Sequence, residues 1–182
     1  MKKLCILVLA VFAAVTVSNA QVCAVKTNLL TYPIGAANVG VEFSVAPQWS
    51  IDLEGLGFIF SPWKNTGKGL YFNGWDVVGE CRYYLCRAFN GHHFGVFGEM
   101  VRFGKANAPY PYGTHRMLNN VKAAGLGISY GYYFKLNTYW GIDATAGIGL
   151  GAGTYQGMKA VNGKSITLLP LPRAAVSLSY KF

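Results

Sequence analysis

The chain is 182 residues long, 52% hydrophobic and 15% aromatic, with 23 glycines and a formal net charge of +9. That length suits one domain, and the basic excess does not read as nucleic-acid binding, because past residue 20 Lys and Arg are dispersed singly. Past residue 20 no apolar run reaches the ~20 residues of a spanning helix, and glycines interrupt nearly every segment, so amphipathic helices leave no trace.

Lys2 and Lys3 precede an apolar stretch, Leu4 to Val17, and the small-residue triplet Ser18-Asn19-Ala20. This pattern predicts a signal peptide over residues 1–20, cleaved after Ala20, and a mature domain over 21–182. Its removal takes two of the 16 basic residues and leaves 14 against 7 acidic ones, a charge of +7. A lipoprotein signal is excluded by Val22 directly before Cys23 and Ala20 three before it. Cys23, Cys81 and Cys86 remain, an odd number that allows one disulfide at most. Cys81 and Cys86 fall on opposite faces of a continuous strand, and no Cys/His spacing suits a metal. All three read as small apolar fillers.

Apolar residues recur at every second position through eight segments, approximately 22–31, 37–46, 49–60, 72–86, 92–103, 121–135, 139–153 and 166–182. Most reach the ~9–11 residues with which a tilted strand crosses a bilayer. The links alternate in length. Pro47-Gln48, Arg87–Gly91 and Leu136–Thr138 are short, while 61–71, 104–120 and 154–165 are long; the first link, 32–36, is short as well. Such alternation fits the turns and outer loops of an up-and-down barrel. The expected fold is all-β: an eight-stranded antiparallel up-and-down transmembrane β-barrel.

Facing sharpens the reading. Val39, Val41, Phe43 and Val45 oppose Gly40, Glu42 and Ser44; Trp49, Ile51 and Leu53 oppose Ser50, Asp52 and Glu54. Trp75, Val77, Cys81, Tyr83 and Leu85 oppose Asp76, Val78, Glu80, Arg82 and Tyr84. All seven acids, Glu42, Asp52, Glu54, Asp76, Glu80, Glu99 and Asp143, fall in predicted strands on the side assigned inward, which puts Arg102 outward near a rim. The loops carry Lys64, Lys68, Lys105, Arg116, Lys159 and Lys164 and no acid. Acids inside and apolar residues outside suit a wall bathed in lipid. A narrow eight-stranded barrel is nearly filled by side chains, so the acids need partners, and Arg82 and Arg173 are the candidates for a lumen ion network. Trp49, Trp75, Trp140, Tyr83, Tyr132, Tyr180 and Phe182 supply amphipathic rings for interfacial girdles or for packing within the wall.

The phase is ambiguous for strand one, for the end of strand three, and around Pro170-Leu171-Pro172, where the prolines either shape the loop or allow a local bulge. Gly147, Gly149, Gly151 and Gly153 recur with period two, unlike a phosphate loop, and read as room for bulky neighbours. The final strand alternates Val176, Leu178, Tyr180 and Phe182 with Ala175, Ser177, Ser179 and Lys181. It resembles the closing strand of bacterial outer-membrane barrels, in which the terminal Phe and the aromatic two before it form the assembly signal; here those are Phe182 and Tyr180.

Three stretches carry a more specific likeness: Val25–Leu30 with Asn38–Phe43, Glu80–Gly95, and Gly125–Tyr132. Together they resemble a Bacteroidota outer-membrane family catalogued as domain of unknown function 3575, over nearly all of the mature chain. The second stretch departs from the family pattern by carrying two cysteines, with Cys81 the additional one. The resemblance implies an outer-membrane barrel without assigned activity, and a fimbrial neighbourhood for some members.

No catalytic, metal or cofactor residues are predicted. His92 and His93 are expected as interfacial turn residues, and His115 sits in a loop without an acid to orient it. The expected function is a structural or interaction barrel in the cell outer membrane, not an enzyme and without cofactors. Its basic loops would contact lipopolysaccharide or fimbrial and other envelope proteins, and its partners would include outer-membrane lipid and the assembly machinery. The alternatives are a lipid A-modifying enzyme and a soluble periplasmic lipocalin-like carrier. The carrier requires the opposite facing.

Overall fold

Strand pairing runs without a gap around the molecule, because the first strand hydrogen-bonds both the second and the last. This is a computed structural model, and it describes residues 22–58, 71–107, 117–156 and 167–182. The strands are β1 (Cys23–Asn28), β2 (Ala36–Ala46), β3 (Trp49–Phe58), β4 (Tyr71–Tyr84), β5 (Gly91–Asn107), β6 (Met117–Lys135), β7 (Trp140–Gln156) and β8 (Thr167–Lys181). Each pairs antiparallel with its sequence neighbours, giving the predicted eight-stranded up-and-down barrel. Closure pairs each strand on both sides, and an edge remains where β8 runs past the end of β1, before Ser177. The short turns 47–48, 85–90 and 136–139 gather at one end, here the lower, and the other connections lie at the upper end.

β1 is shorter than the alternation over 22–31 suggests. Leu29–Ile34 form a 3-10 helix in place of further strand and a loop. Asn28 explains the break: its Oδ1 accepts from Leu30 N and from Val176 N, at 3.1 Å each. Gly35, with φ +79°, ends the helix in the left-handed region that suits glycine. The short β1 also settles Pro170 and Pro172. Val176 N points toward the β1 side of β8, so the same parity aims the two proline nitrogens at the stretch where β1 no longer runs. A missing N–H costs nothing there. Register with β7 is continuous through Pro170-Leu171-Pro172, so of the two alternatives for these prolines the bulge does not form. Bulges instead occur at Ser44/Ala46, Asn73/Gly74 and Asn119/Lys122.

The wall is inverted relative to a soluble protein. Ile128 is 65% exposed, Ile148 64% and Leu150 66%, while Glu42, Asp52, Glu80, Arg82 and Asp143 are buried inside. The assigned facing of β2, β3, β4 and β7 holds throughout. Toward the lower end the outer wall carries touching aromatic pairs: Trp49 with Tyr83 at 5.0 Å, Trp140 with Tyr180 at 4.9 Å, and Tyr132 with Phe134 at 4.4 Å. These rings face outward and pack on one another, as the second of the two expectations has it.

Two apolar clusters lie within the barrel. Tyr84, Phe89, Tyr133 and Ala24 close the lower end, with Phe89 folded in from the 85–90 turn. Val101, Ala123 and Leu171 pack higher up. Here the glycines of β6 and β7 matter: a Cβ on Gly127 would meet the Phe97 ring and Gly149 Cα, and one on Gly151 would meet Leu171 at 2.8 Å. They make the predicted room for bulky neighbours.

Candidate functional site

Between the two apolar clusters, every strand contributes to one buried polar cluster, centred on Arg82. The guanidinium reaches Glu80 and Asp52 at 2.7 Å through Nη2, and Asp143 at 2.7 Å and Glu42 at 3.1 Å through Nη1. Lys26 Nζ, from β1, lies 2.5 Å from Asp143, 3.0 Å from Glu42 and 3.3 Å from Asp52. Four carboxylates thus surround two cations, all with side chains at most 1% exposed. Arg173 extends the cluster upward, 3.1 Å from Glu80 and 2.9 Å from Glu54, with its guanidinium 5.6 Å from the Phe97 ring centre.

Neutral donors occupy the second oxygens of Glu42, Glu80 and Asp143, while Asp52 Oδ1 has no hydrogen-bond partner among the described residues. Ser50 and Tyr84 hydroxyls donate to Glu42 Oε1 at 2.6 and 2.8 Å, and Ser129 donates to Glu80 Oε1. His93 Nε2 donates to Asp143 Oδ1 at 2.9 Å, with Thr145 on the same oxygen at 3.2 Å. A charge taken out of water costs several kcal/mol unless it is paired and hydrogen-bonded, and these contacts give each of the six charges an opposite partner. Glycine makes the packing possible. A Cβ on Gly95 would collide with Glu80 and Ser129, one on Gly131 with His93, and one on Gly40 would lie 3.0 Å from Glu54 Cγ.

Of the predicted network, Glu42, Asp52, Glu54, Glu80, Arg82, Asp143 and Arg173 are brought together. Asp76 and Glu99 face inward but stand apart: with Glu54, Asn28, Asn38 and Arg173 they line a cavity of about 120 Å³ above the network. Neither makes an ion pair among the described residues, so their assignment to the network is corrected. Two members were missed. Lys26 belongs to the strand whose phase was ambiguous, although Ala24, Lys26 and Asn28 alternate with Cys23, Val25 and Thr27. His93, expected at an interface, is fully buried; it shares the parity of Glu99, and that parity was the available signal. His92 does face outward, against Tyr130 and Tyr132.

Lys105 lies in β5 rather than in a loop. Lys64, Lys68, Arg116, Lys159, Lys164 and His115 fall outside the described residues. Tyr180 faces outward, and Phe182 continues the pairing by donating its N–H to Cys23 O at 2.9 Å. Cys23, Cys81 and Cys86 are free thiols.

The cluster holds no open nucleophile beside a base. His93 and Asp143 are sealed beneath Arg82 and above the Tyr84–Phe89–Tyr133 cluster, so the arrangement braces and plugs the lumen. All three stretches that carry the family resemblance send residues into it: Lys26 and Glu42, then Glu80, Arg82, His93 and Gly95, then Ser129 and Gly131. Residues 5–182 match the model of a family described as a protein of unknown function, DUF3575, and the chain belongs to that family. No curated protein and no solved structure matches the chain.

Proposed function

We propose that this DUF3575 member is a small outer-membrane barrel with a structural or interaction role, its lumen plugged and its upper loops turned outward to envelope partners. The observation that carries this reading is the inverted wall: seven carboxylates face the lumen while Leu126, Ile128, Ile148 and Leu150 face out. A contiguous exposed apolar surface of this kind needs a non-aqueous neighbour, and lipid is the one that surrounds a closed barrel on all sides. The dimensions agree. From Ala124 to Phe134 the outward face of β6 is apolar or aromatic over 134 − 124 = 10 steps, ~34 Å of strand. At a tilt of roughly 40° that projects to ~26 Å, close to the apolar band of a membrane barrel. A soluble carrier would need the reverse facing and an open interior.

In this reading residues 1–20 direct export and are removed, and Tyr180 with Phe182 guide assembly. Lys64, Lys68, Lys105, Arg116, Lys159 and Lys164 then meet anionic lipopolysaccharide or acidic patches on fimbrial and other envelope proteins, where Coulomb attraction suits Lys and Arg. Heat-modifiable gel migration of the detergent-folded chain, with circular dichroism, tests the barrel reading. A boiling-sensitive shift with a strand-rich spectrum is expected; a chain soluble without detergent and showing no shift would overturn it. Replacing Lys64, Lys68, Lys105 and Arg116 by Gln should loosen association with lipopolysaccharide, and unchanged association would remove the loops as its site.

A further inference from the structure

Register places a row of outward residues side by side across four strands near the upper end. Trp75 on β4 pairs with Arg102 on β5, Arg102 with Lys122 on β6, and Lys122 with Thr154 on β7. Arg102 and Lys122 are thus two cations directly opposite one another, an arrangement that costs stability when nothing lies between them. No carboxylate answers them, because all seven of the chain face the lumen. Both are exposed.

The row below is made of Val77, Met100, Ala124 and Ala152, again in direct register. Two alanines beside methionine leave a depression next to the larger Leu126, Leu150 and Leu168. Trp75, Met100, Arg102, Lys122, Ala124 and Ala152 line a groove there of about 460 Å³. It runs from a doubly cationic head into an apolar trough.

We infer that this groove seats one phosphorylated acyl glycolipid of the outer leaflet, the lipid A portion of lipopolysaccharide. Its phosphate bridges Arg102 and Lys122, and one acyl chain lies over Ala124 and Ala152. A phosphate matches this head because its oxygens accept from a guanidinium fork and an ammonium together. The trough suits a chain because both its walls and its floor are apolar. The outer leaflet follows from the position of the row at the end opposite the short turns. The inference rests on the membrane reading above and differs from it in placing lipid recognition on the barrel wall, where the loops take no part.

The test uses the full mature chain folded in detergent and checked for heat-modifiable migration. Native mass spectrometry then follows binding of monophosphorylated lipid A, its phosphate-free counterpart and phosphatidylglycerol. Wild type should retain one phosphorylated lipid A about tenfold more tightly than the phosphate-free form, the order expected for two cations near a membrane surface. R102Q/K122Q should lose that preference while keeping its heat shift, and A152F, which fills the trough and leaves both cations, should weaken both forms of lipid A. Equal retention of the phosphorylated and phosphate-free lipids by wild type would overturn the seat, with no need for a variant to fold. Phosphatidylglycerol held as tightly as lipid A would overturn the assignment to the glycolipid. A wild-type chain that never acquires a heat shift would instead strike at the membrane reading itself.

Discussion

Replacing Arg82 by Ala leaves Glu42, Asp52, Glu80 and Asp143 with Lys26 and the tip of Arg173 as their Lys and Arg partners among the described residues, all largely out of water. Removing one partner of a buried pair costs about 3–5 kcal/mol. R82A should therefore lose that much in urea unfolding from lipid vesicles, and a loss below about 1 kcal/mol would mean that the cluster is not a brace. Phe89 offers a subtler case. It is the described non-glycine residue with positive φ, +61°, and it fills the lower apolar cluster. Both F89A and F89G lose the ring, but only Gly adopts that backbone freely, so F89G should be more stable than F89A by about 1 kcal/mol. The opposite order would show that the turn relaxes once the ring is gone. These residues differ in how far the sequence revealed them. Arg82 stood out as a cation among inward acids, whereas Phe89 sat in a turn, where nothing local says that a ring folds back under the barrel.

Among the elements, the β6–β7 pair and the β1–β8 seam show what alternation can and cannot reveal. Glycines of β6 and β7 are inward by parity, and that much was legible. Which of them are essential depends on what crosses the lumen. Gly127 faces Phe97, so G127A should cost about 1–3 kcal/mol through overpacking. Gly55 has nothing within 4 Å of its would-be Cβ, and G55A should stay within about 0.5 kcal/mol of wild type. The same urea titration checks both, and equal costs would contradict the close packing across the lumen. At the seam, the end of β1 was misjudged because Leu29 and Leu30 continue the apolar composition. Asn28 diverts the chain through side-chain bonds to Leu30 and to β8, a partner 148 residues away that no local window contains. Pro170 and Pro172 leave loop and bulge equally open for the same reason: their tolerance depends on where β1 stops.

For the whole molecule, facing was the strongest signal in the sequence, because a period-two pattern fixes the side of every residue once one strand is oriented. The ion network was legible as a set of inward acids. Its membership was not, since Lys26, His93, Asp76 and Glu99 are sorted by height along the barrel, and height depends on the stagger between strands. A plugged lumen and an apolar wall make one account, in which the interior holds the shape and the outside meets lipid. That account is tested most directly by spin labels placed one at a time from Lys122 to Phe134 along β6, in vesicles, on a cysteine-free background. Collision with membrane-dissolved oxygen and with an aqueous nickel reagent would be compared at each position. The account predicts a period-two pattern, with oxygen access greatest at residues 124, 126, 128 and 130 and peaking near Ile128. Outward labels more accessible to the aqueous reagent than to oxygen, or a chain that does not stay with the vesicles, would contradict it.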